Sequence, residues 1–203
     1  MKILHLVTSS RGKDSFSNKL GTALIDKLRK VHPDTTVNTH NINQNSFPHL
    51  EEVHITSFHT PETNRTPELI EAVKHSDIAI QGLMDADTII IDVPMYNFTI
   101  PSTLRAWVDH IVRAGKTFKY TENGVEGLIK NKKVYLMIAS GGVYSEGMMK
   151  DYDFTEKYLK AILGFIGLHD ITVFRIEGTA MPEYKENALP KALQTIETYN
   201  FKN

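Results

Sequence analysis

The chain has 203 residues, 41% apolar and 23% charged, with 23 Lys and Arg against 24 Asp and Glu for a formal charge of −1. This composition excludes disordered, collagenous and low-complexity chains, and the length suffices to bury roughly 70% of the unfolded surface. No basic field exists to neutralise a nucleic-acid backbone. The absence of cysteine excludes disulfides, thiolate nucleophiles and cysteine-ligated metals.

No run approaches 18 apolar residues, so no membrane-spanning helix is expected. The first eight residues form a strand-like apolar run without a charged leader, so neither a signal peptide nor any location but the cytoplasm is expected. The basic cluster Lys130–Asn131–Lys132–Lys133 reads as a solvated turn entering a strand.

In chain order, residues 3–7 form a short apolar run, predicted as a buried strand. A polar loop at 8–14 leads into a helix from Ser15, with Leu20, Ala23, Leu24, Ile25 and Leu28 at helical spacing and His32–Pro33–Asp34 as its stop. Residues 35–42 alternate as a second strand, and residues 43–65 show no clear periodicity and read as a long loop. Thr66–Pro67–Glu68 opens the next helix, with Ser76–Asp77 as a potential break. A third strand at 88–93 precedes the loop Pro94–Met95–Tyr96–Asn97–Phe98 and a helix from Pro101 to Ala114–Gly115. A hairpin is predicted at 117–127 around Asn123–Gly124. A strand at 134–139, a helix at 152–166 capped by Gly167, a strand at 171–177 and a terminal helix at 186–201 complete the chain.

Strands alternating with helices indicate a doubly wound α/β fold, a five-stranded parallel sheet of order 2-1-3-4-5 with helices on both faces. No repeat or linker divides the chain, so a single domain, 1–203, is expected. Ligands of such sheets sit beyond the carboxyl ends of the strands, where the order reverses. The loops predicted there are 8–17, 94–101 and 139–147.

The first loop carries Ser9, Ser10, Ser15 and Ser17 ahead of a helix, which suits a phosphate, although a serine there also serves as an ordinary N-cap. It is neither a Walker A nor a GxGxxG sequence. In the second loop Tyr96 and Phe98 can flank a flat ring, or simply fill core. In the third, Ser140–Gly141–Gly142 lets backbone approach a ligand. A phosphate at one end and a flat ring at the other fit a flavin mononucleotide.

These segments carry a resemblance. Ser9–Ser10, Ser15–Phe16–Ser17, the Pro94–Met95–Tyr96–Asn97–Phe98 loop, the run from Arg113 to Gly124, Ser140–Gly141–Gly142 and Gly164–Phe165–Ile166–Gly167 are similar to those of the FMN-dependent NADH:quinone oxidoreductases and azoreductases of the flavodoxin-like fold. The likeness runs essentially the full length. It implies that Ser10, Ser15, Phe16 and Ser17 hold the FMN phosphate. Met95, Tyr96, Asn97 and Phe98 would line the ring and ribityl chain, with Ala139, Ser140, Gly141 and Gly142 at the ring's other edge. The family often has a Ser–Arg pair at Ala139–Ser140 and a histidine at Tyr144, where this chain offers a phenol to the pyrimidine end instead.

The resemblance further implies a ping-pong exchange in which NADH gives a hydride to FMN and a quinone or azo compound then takes two electrons. The cofactor carries that chemistry, so no catalytic side chain is named. Phe98, Tyr120, Tyr144 and Phe165 are candidates against the second substrate, with plain packing as the alternative. A homodimer is implied, with Trp107, Val108 and Ile111 as an apolar helix face near the site or, alternatively, packed on the sheet. Residues 43–65 are expected to cover the site in part.

His49, His54 and His59 recur every five residues but lack a fourth ligand, so no metal site is assigned. No GxSxG elbow supports hydrolysis, and Asp92 and Asp109 read as structural or solvated. Two rival classes are a flavodoxin-type electron carrier, disfavoured by the near-neutral charge and the hairpin, and an interaction protein that has lost the flavin.

Overall fold

Strands that are apolar on both faces need cover on both sides, and parallel pairing beneath two layers of helices supplies it. The structure is a computed structural model that describes residues 1–201; the last two residues of the expected 1–203 domain lie outside the described residues. The strands are β1 (Lys2–Val7), β2 (Thr36–Asn41), β3 (Thr88–Pro94), β4 (Phe118–Thr121), β5 (Gly124–Gly127), β6 (Lys133–Ala139) and β7 (Asp170–Ile176). Five pair in parallel in the order β2-β1-β3-β6-β7, which is 2-1-3-4-5 counted within the sheet. β4 and β5 form the expected antiparallel hairpin, with the turn one residue earlier, at Glu122–Asn123.

Alternation along β3 sends Ile89, Ile91 and Val93 to one face, under α3 (Pro67–Asp85), α4 (Ser102–Ile111) and α5 (Phe154–Phe165). Ile90 joins the opposite core, under α1 (Phe16–Val31) and α6 (Lys185–Thr198). Leu104, Trp107, Val108 and Ile111 of α4 all lie inside the first core, Trp107 with no exposed surface. This corrects the expectation of a free apolar face there: the stripe of α4 is spent on the sheet.

Two further readings change. The long loop contains a helix, α2 (Glu52–His59), at the end of a segment held by tertiary contacts. Its start is a capping box in which Glu51 pairs with His54 rather than with the usual Glu or Gln. Ser57 Oγ donates to Leu69 O at 2.7 Å, His110 Nε2 lies 2.9 Å from Pro48 O, and Phe47 packs edge-on to His75. Second, α3 runs unbroken through Ser76–Asp77. A buried serine inside a helix needs partners beyond it. Ser76 donates to His110 O and accepts from Arg113 Nη1 at 2.8 Å, while Arg113 also reaches Asp77 at 2.6 Å. Of the three spaced histidines, His54 is buried with its ring 5.3 Å from that of His110, and among the described residues no group of three metal-binding side chains forms.

His110 is fully buried. Burial, reinforced by His54 and His75, holds its imidazole below the ordinary value of 6.5, against the Pro48 carbonyl and Asp109. Unfolding therefore releases a group that binds a proton more readily. Stability is complete above pH 6.5 and falls as the pH drops from there through the lowered folded value. Urea unfolding at pH 7.5 and 5.5 is expected to show this loss, with His40, also held down by burial, adding to it. His110→Gln is expected to flatten the slope; an unchanged slope would remove His110 as its source.

The α1 face has its own close contact. Asp92 on β3 is fully buried, and its Oδ2 lies 2.7 Å from His5 Nε2 on β1. Burial raises the Asp92 carboxyl above its usual range, opposed by the His5 hydrogen bond. Gly21 of α1 sits on this carboxyl: a Cβ there would stand 2.0 Å from Oδ1. Alanine favours a helix by about 1 kcal/mol, but overpacking typically costs about 1–3 kcal/mol. The clash is with a buried, hydrogen-bonded group, so it should win. Gly21→Ala is expected to lower unfolding stability by up to about 2 kcal/mol, and Gly21→Ala/Asp92→Ala to lose less than the two singles summed. A stabilised Gly21→Ala in denaturant titration would refute the contact.

Candidate active site

At the carboxyl edge β1 and β3 part, and the loops that follow them open a cleft. Thr8 Oγ1 donates to Asp92 O at 2.6 Å and ties the first loop to β3. The chain then makes a short turn at Gly12–Asp14 and enters α1 at Ser15. Ser15 is a true N-cap, its Oγ accepting from Asn18 N at 3.3 Å. That Oγ also lies 3.0 Å from Ser17 Oγ, and both serines are buried. The first-turn amides of Phe16 and Ser17 have no backbone acceptor among the described residues, as helix geometry requires. Two hydroxyls, two free amides and the positive helix end make an anion cradle.

The second loop is a tight turn. Tyr96 and Thr99 exchange backbone hydrogen bonds at 2.9 and 3.1 Å, and Asn97 and Phe98 take φ of +49° and +69°. Side chains rarely adopt these angles, and the strain is borne at the cleft. Met95 N is spent on Ala139 O at 2.7 Å and Tyr96 N on Thr99 O, so the amides left without acceptors among the described residues are those of Asn97 and Phe98. Ser10, exposed at the rim, holds Tyr96 through a 3.1 Å hydroxyl contact.

The third loop is laced to the chain after β7. Gly178 N donates to Gly142 O, Thr179 N to Ser140 O and Ala180 N to Gly141 O, at 3.0, 3.3 and 3.0 Å. The amides of Gly141 and Gly142 remain without acceptors among the described residues. A Cβ on Gly142 would meet the Tyr144 ring at 3.2 Å, so the phenol lies folded onto this backbone.

The cleft, 180 Å³, is lined by Ser9, Arg11, Ser15, Phe16, Ser17, Pro94, Met95, Tyr96, Ala139, Ser140, Gly141, Thr179 and Ala180. Ser10, Asn97, Phe98 and Gly142 are not among its lining residues, and Ser9 rather than Ser10 lines it. Arg11, a charge the sequence offers beside the serines, lines the cleft, whereas sequence reasoning missed Thr179 and Ala180. The last two follow β7, two strands beyond β3, and reach the site by folding back; Gly178, at φ +72°, is the local signal. No residue of 43–65 lines the cleft; that segment packs on α3 and α4 instead.

Tyr120 and Phe165 are not brought to it either. Phe118 joins them, at 5.5 and 4.7 Å between ring centroids, at the far end of α5. The near end, Phe154, bonds to Phe98 O, and 12 residues of helix span about 18 Å. A larger concavity of 660 Å³ lies at the amino edge, by Asp87, Lys133 and Asp170. Lys133 there is paired with Asp170 and Lys132 Nζ with Met84 O, whereas ligands of such sheets bind at the other edge.

The family model for the flavodoxin-like fold matches residues 1–199. An FMN-dependent NADH:quinone oxidoreductase of Herminiimonas arsenicoxydans is 45% identical over 196 residues, covering 96% of each chain. One from Mesorhizobium japonicum is 41% identical, covering 97% of this chain and 94% of the relative. Among solved structures, an azoreductase from Bacillus anthracis superposes with a TM-score of 0.89 at 31% identity, over 97% and 96% of the two chains. An FMN-dependent NADH-azoreductase of the same species, solved with FMN, gives 0.82 at 25% identity over 97% of both. With full-length likeness in sequence and in fold, this chain belongs to the flavodoxin-like family of FMN-dependent NADH:quinone oxidoreductases and azoreductases.

Proposed function

We propose that this protein, acting through one domain, is an FMN-dependent enzyme that oxidises NADH and reduces quinones, and reductively cleaves azo compounds, by a ping-pong mechanism. The observation that carries this reading is the convergence, at the strand reversal, of the Ser15–Ser17 cradle with two loops whose open backbone amides have no acceptor among the described residues. The residues fit FMN: an anion site stands at one end, and a half-buried tyrosine and glycine backbone line the other. Bound FMN would supply two-electron hydride exchange with each substrate in turn.

The chain's own part is to bind and orient. Ser15, Ser17 and the amides of Phe16 and Ser17 would take the phosphate, with Ser10 bracing Tyr96 at the rim. Met95 and Tyr96 would line the ring and ribityl chain, and the free amides of Asn97, Phe98, Gly141 and Gly142 would serve its polar edges. Ala139 and Ser140 form the floor on the β6 side. Tyr144 offers a hydroxyl at the mouth, beside Phe98. No side chain is assigned as an acid or base.

The visible spectrum of the purified protein incubated with FMN tests this. Flavin bands should appear, bleach with NADH under anaerobic conditions and return with a quinone. Bands that NADH does not bleach would point to an electron carrier; no bands would overturn the reading. Ser15→Ala should raise the Kd for FMN about tenfold or more through a lost charge-assisted bond, and leave riboflavin, which lacks the phosphate, unaffected.

We further propose a homodimer, working in the cytoplasm. A 180 Å³ cleft is below the ~300 Å³ of ordinary small-molecule pockets, so one chain encloses only part of a flavin and its substrate. Tyr120, 75% exposed, and Phe165 can serve a cleft only from a neighbouring copy, since about 18 Å of helix separates them from their own. Sedimentation should give twice 23.0 kDa. An active 23.0 kDa monomer would overturn this.

A further inference from the structure

The chain between β6 and α5, residues 140–153, has no strand or α-helix, only turns over 147–153, yet it carries Tyr144 and Tyr152 to Phe98 of the second loop. Something must hold it. Resting on the function proposed above, we infer that Glu177 is a positioning residue that fixes Tyr144 for the flavin, and that Arg175 holds Glu177 in turn.

One carboxylate takes three donors from this loop. Glu177 Oε1 accepts from Tyr144 N at 2.8 Å and Ser145 N at 2.9 Å, and its Oε2 accepts from Ser145 Oγ. An ionised carboxylate is the acceptor best suited to several amides at once, because each bond is charge-assisted. Arg175, two residues back on β7, reaches Glu177 Oε1 at 3.5 Å and pairs with both Asp153 and Glu156. Asp153 caps α5, accepting from Thr155 N at 2.9 Å and Glu156 N at 3.1 Å. The two ends of the loop are thereby tied to one guanidinium whose side chain is 16% exposed.

Charge makes the arrangement interdependent. Asp153, Glu156 and Glu177 carry three negative charges, facing Arg175 and Lys160, the latter 2.6 Å from Glu156. Without Arg175 the three carboxylates would keep only the lysines at the edge of the cluster, Lys150, Lys157 and Lys160, and repulsion would drive Glu177, the most loosely paired, off the loop. The consequence at the cleft is geometric. With its amide held, Tyr144 lies with its ring on Gly142 and edge-on to Phe98, 6.1 Å between centroids. Phe98 packs in turn on Tyr152 at 5.4 Å. The phenol is thus set between the open Gly142 amide and the strained turn at Phe98. The loop's two methionines point away instead, Met148 being 96% exposed and Met149 40%.

Hydrogen exchange of the cofactor-free full chain and FMN titration of the same variants test the inference. In Glu177→Ala the Tyr144 and Ser145 amides should exchange about tenfold faster or more, with the sheet amides unchanged. Glu177→Gln keeps one oxygen for both amides and should restore most of the protection. The Kd for FMN should rise about tenfold in Glu177→Ala. It should rise no further in Glu177→Ala/Tyr144→Ala than in the worse single variant, the sign that Glu177 acts through Tyr144. Arg175→Met should move both readouts the same way. Unchanged exchange in Glu177→Ala, or losses that simply add in the double variant, would overturn the inference. Should the wild-type chain bind no FMN, the proposed function falls, while the exchange rates still decide whether Glu177 holds the loop.

Discussion

β1 pairs in parallel with both β2 and β3, and on this reversal of strand order the site depends. The chain reaches β2 through α1 on one face and β3 through α3 on the other, so the loops leaving β1 and β3 diverge. A crevice opens where they part, and no side chain had to be carved away to make it. The open amides at the site then come from the ends of elements: a helix N-terminus after β1, a turn after β3 and a glycine pair after β6. Such ends expose amides that the sheet and helices cannot satisfy internally.

The position of the anion cradle is set deeper in the molecule. Gly21 lets α1 settle onto the buried Asp92–His5 pair, and Thr8 clasps the backbone of the same aspartate. The start of α1, with Ser15 and Ser17, is therefore referenced to the centre of the sheet through a contact without slack. The buried, partly unsatisfied carboxyl has a structural cost, since burial disfavours its charge. That cost falls next to the site, where precision of placement has a use.

Aromatic side chains divide into two groups that composition cannot tell apart. Phe98, Tyr144 and Tyr152 gather at the cleft, while Phe118, Tyr120 and Phe165 gather where the β4–β5 hairpin meets the end of α5. That junction is tight: a Cβ on Gly127 would stand 2.2 Å from Gly167 N, so only glycine allows the hairpin to dock there. The hairpin thus presents Tyr120 outward, away from its own cleft.

How much of this was legible in the sequence depended on whether an element's cause is local. The sheet strands were, because burial on both faces leaves uninterrupted apolar runs such as Ile89–Ile90–Ile91. The starts of α1 and α3 were, because Ser15 and Thr66 cap with their own side chains. The serine, Met95–Phe98 and Ser140–Gly142 segments were legible as a group, because chain order and strand order together bring them to one edge. α2 was not: short and rich in β-branched and polar residues, it is held by Ser57, Pro48 and their partners on α3 and α4. Nor was the continuity of α3 at Ser76, which rests on Arg113 and His110 far along the chain. The inward turn of Ser9, the return of Thr179 and Ala180, the spent face of Trp107 and the hold of Glu177 on Tyr144 were likewise decided by tertiary structure. Sequence pattern by itself determined the fold class, the order of the elements and which loops meet. Which atoms those loops turn toward one another was settled only by partners dozens of residues away, because hydrogen bonds and packing between distant segments leave no periodic trace in the chain.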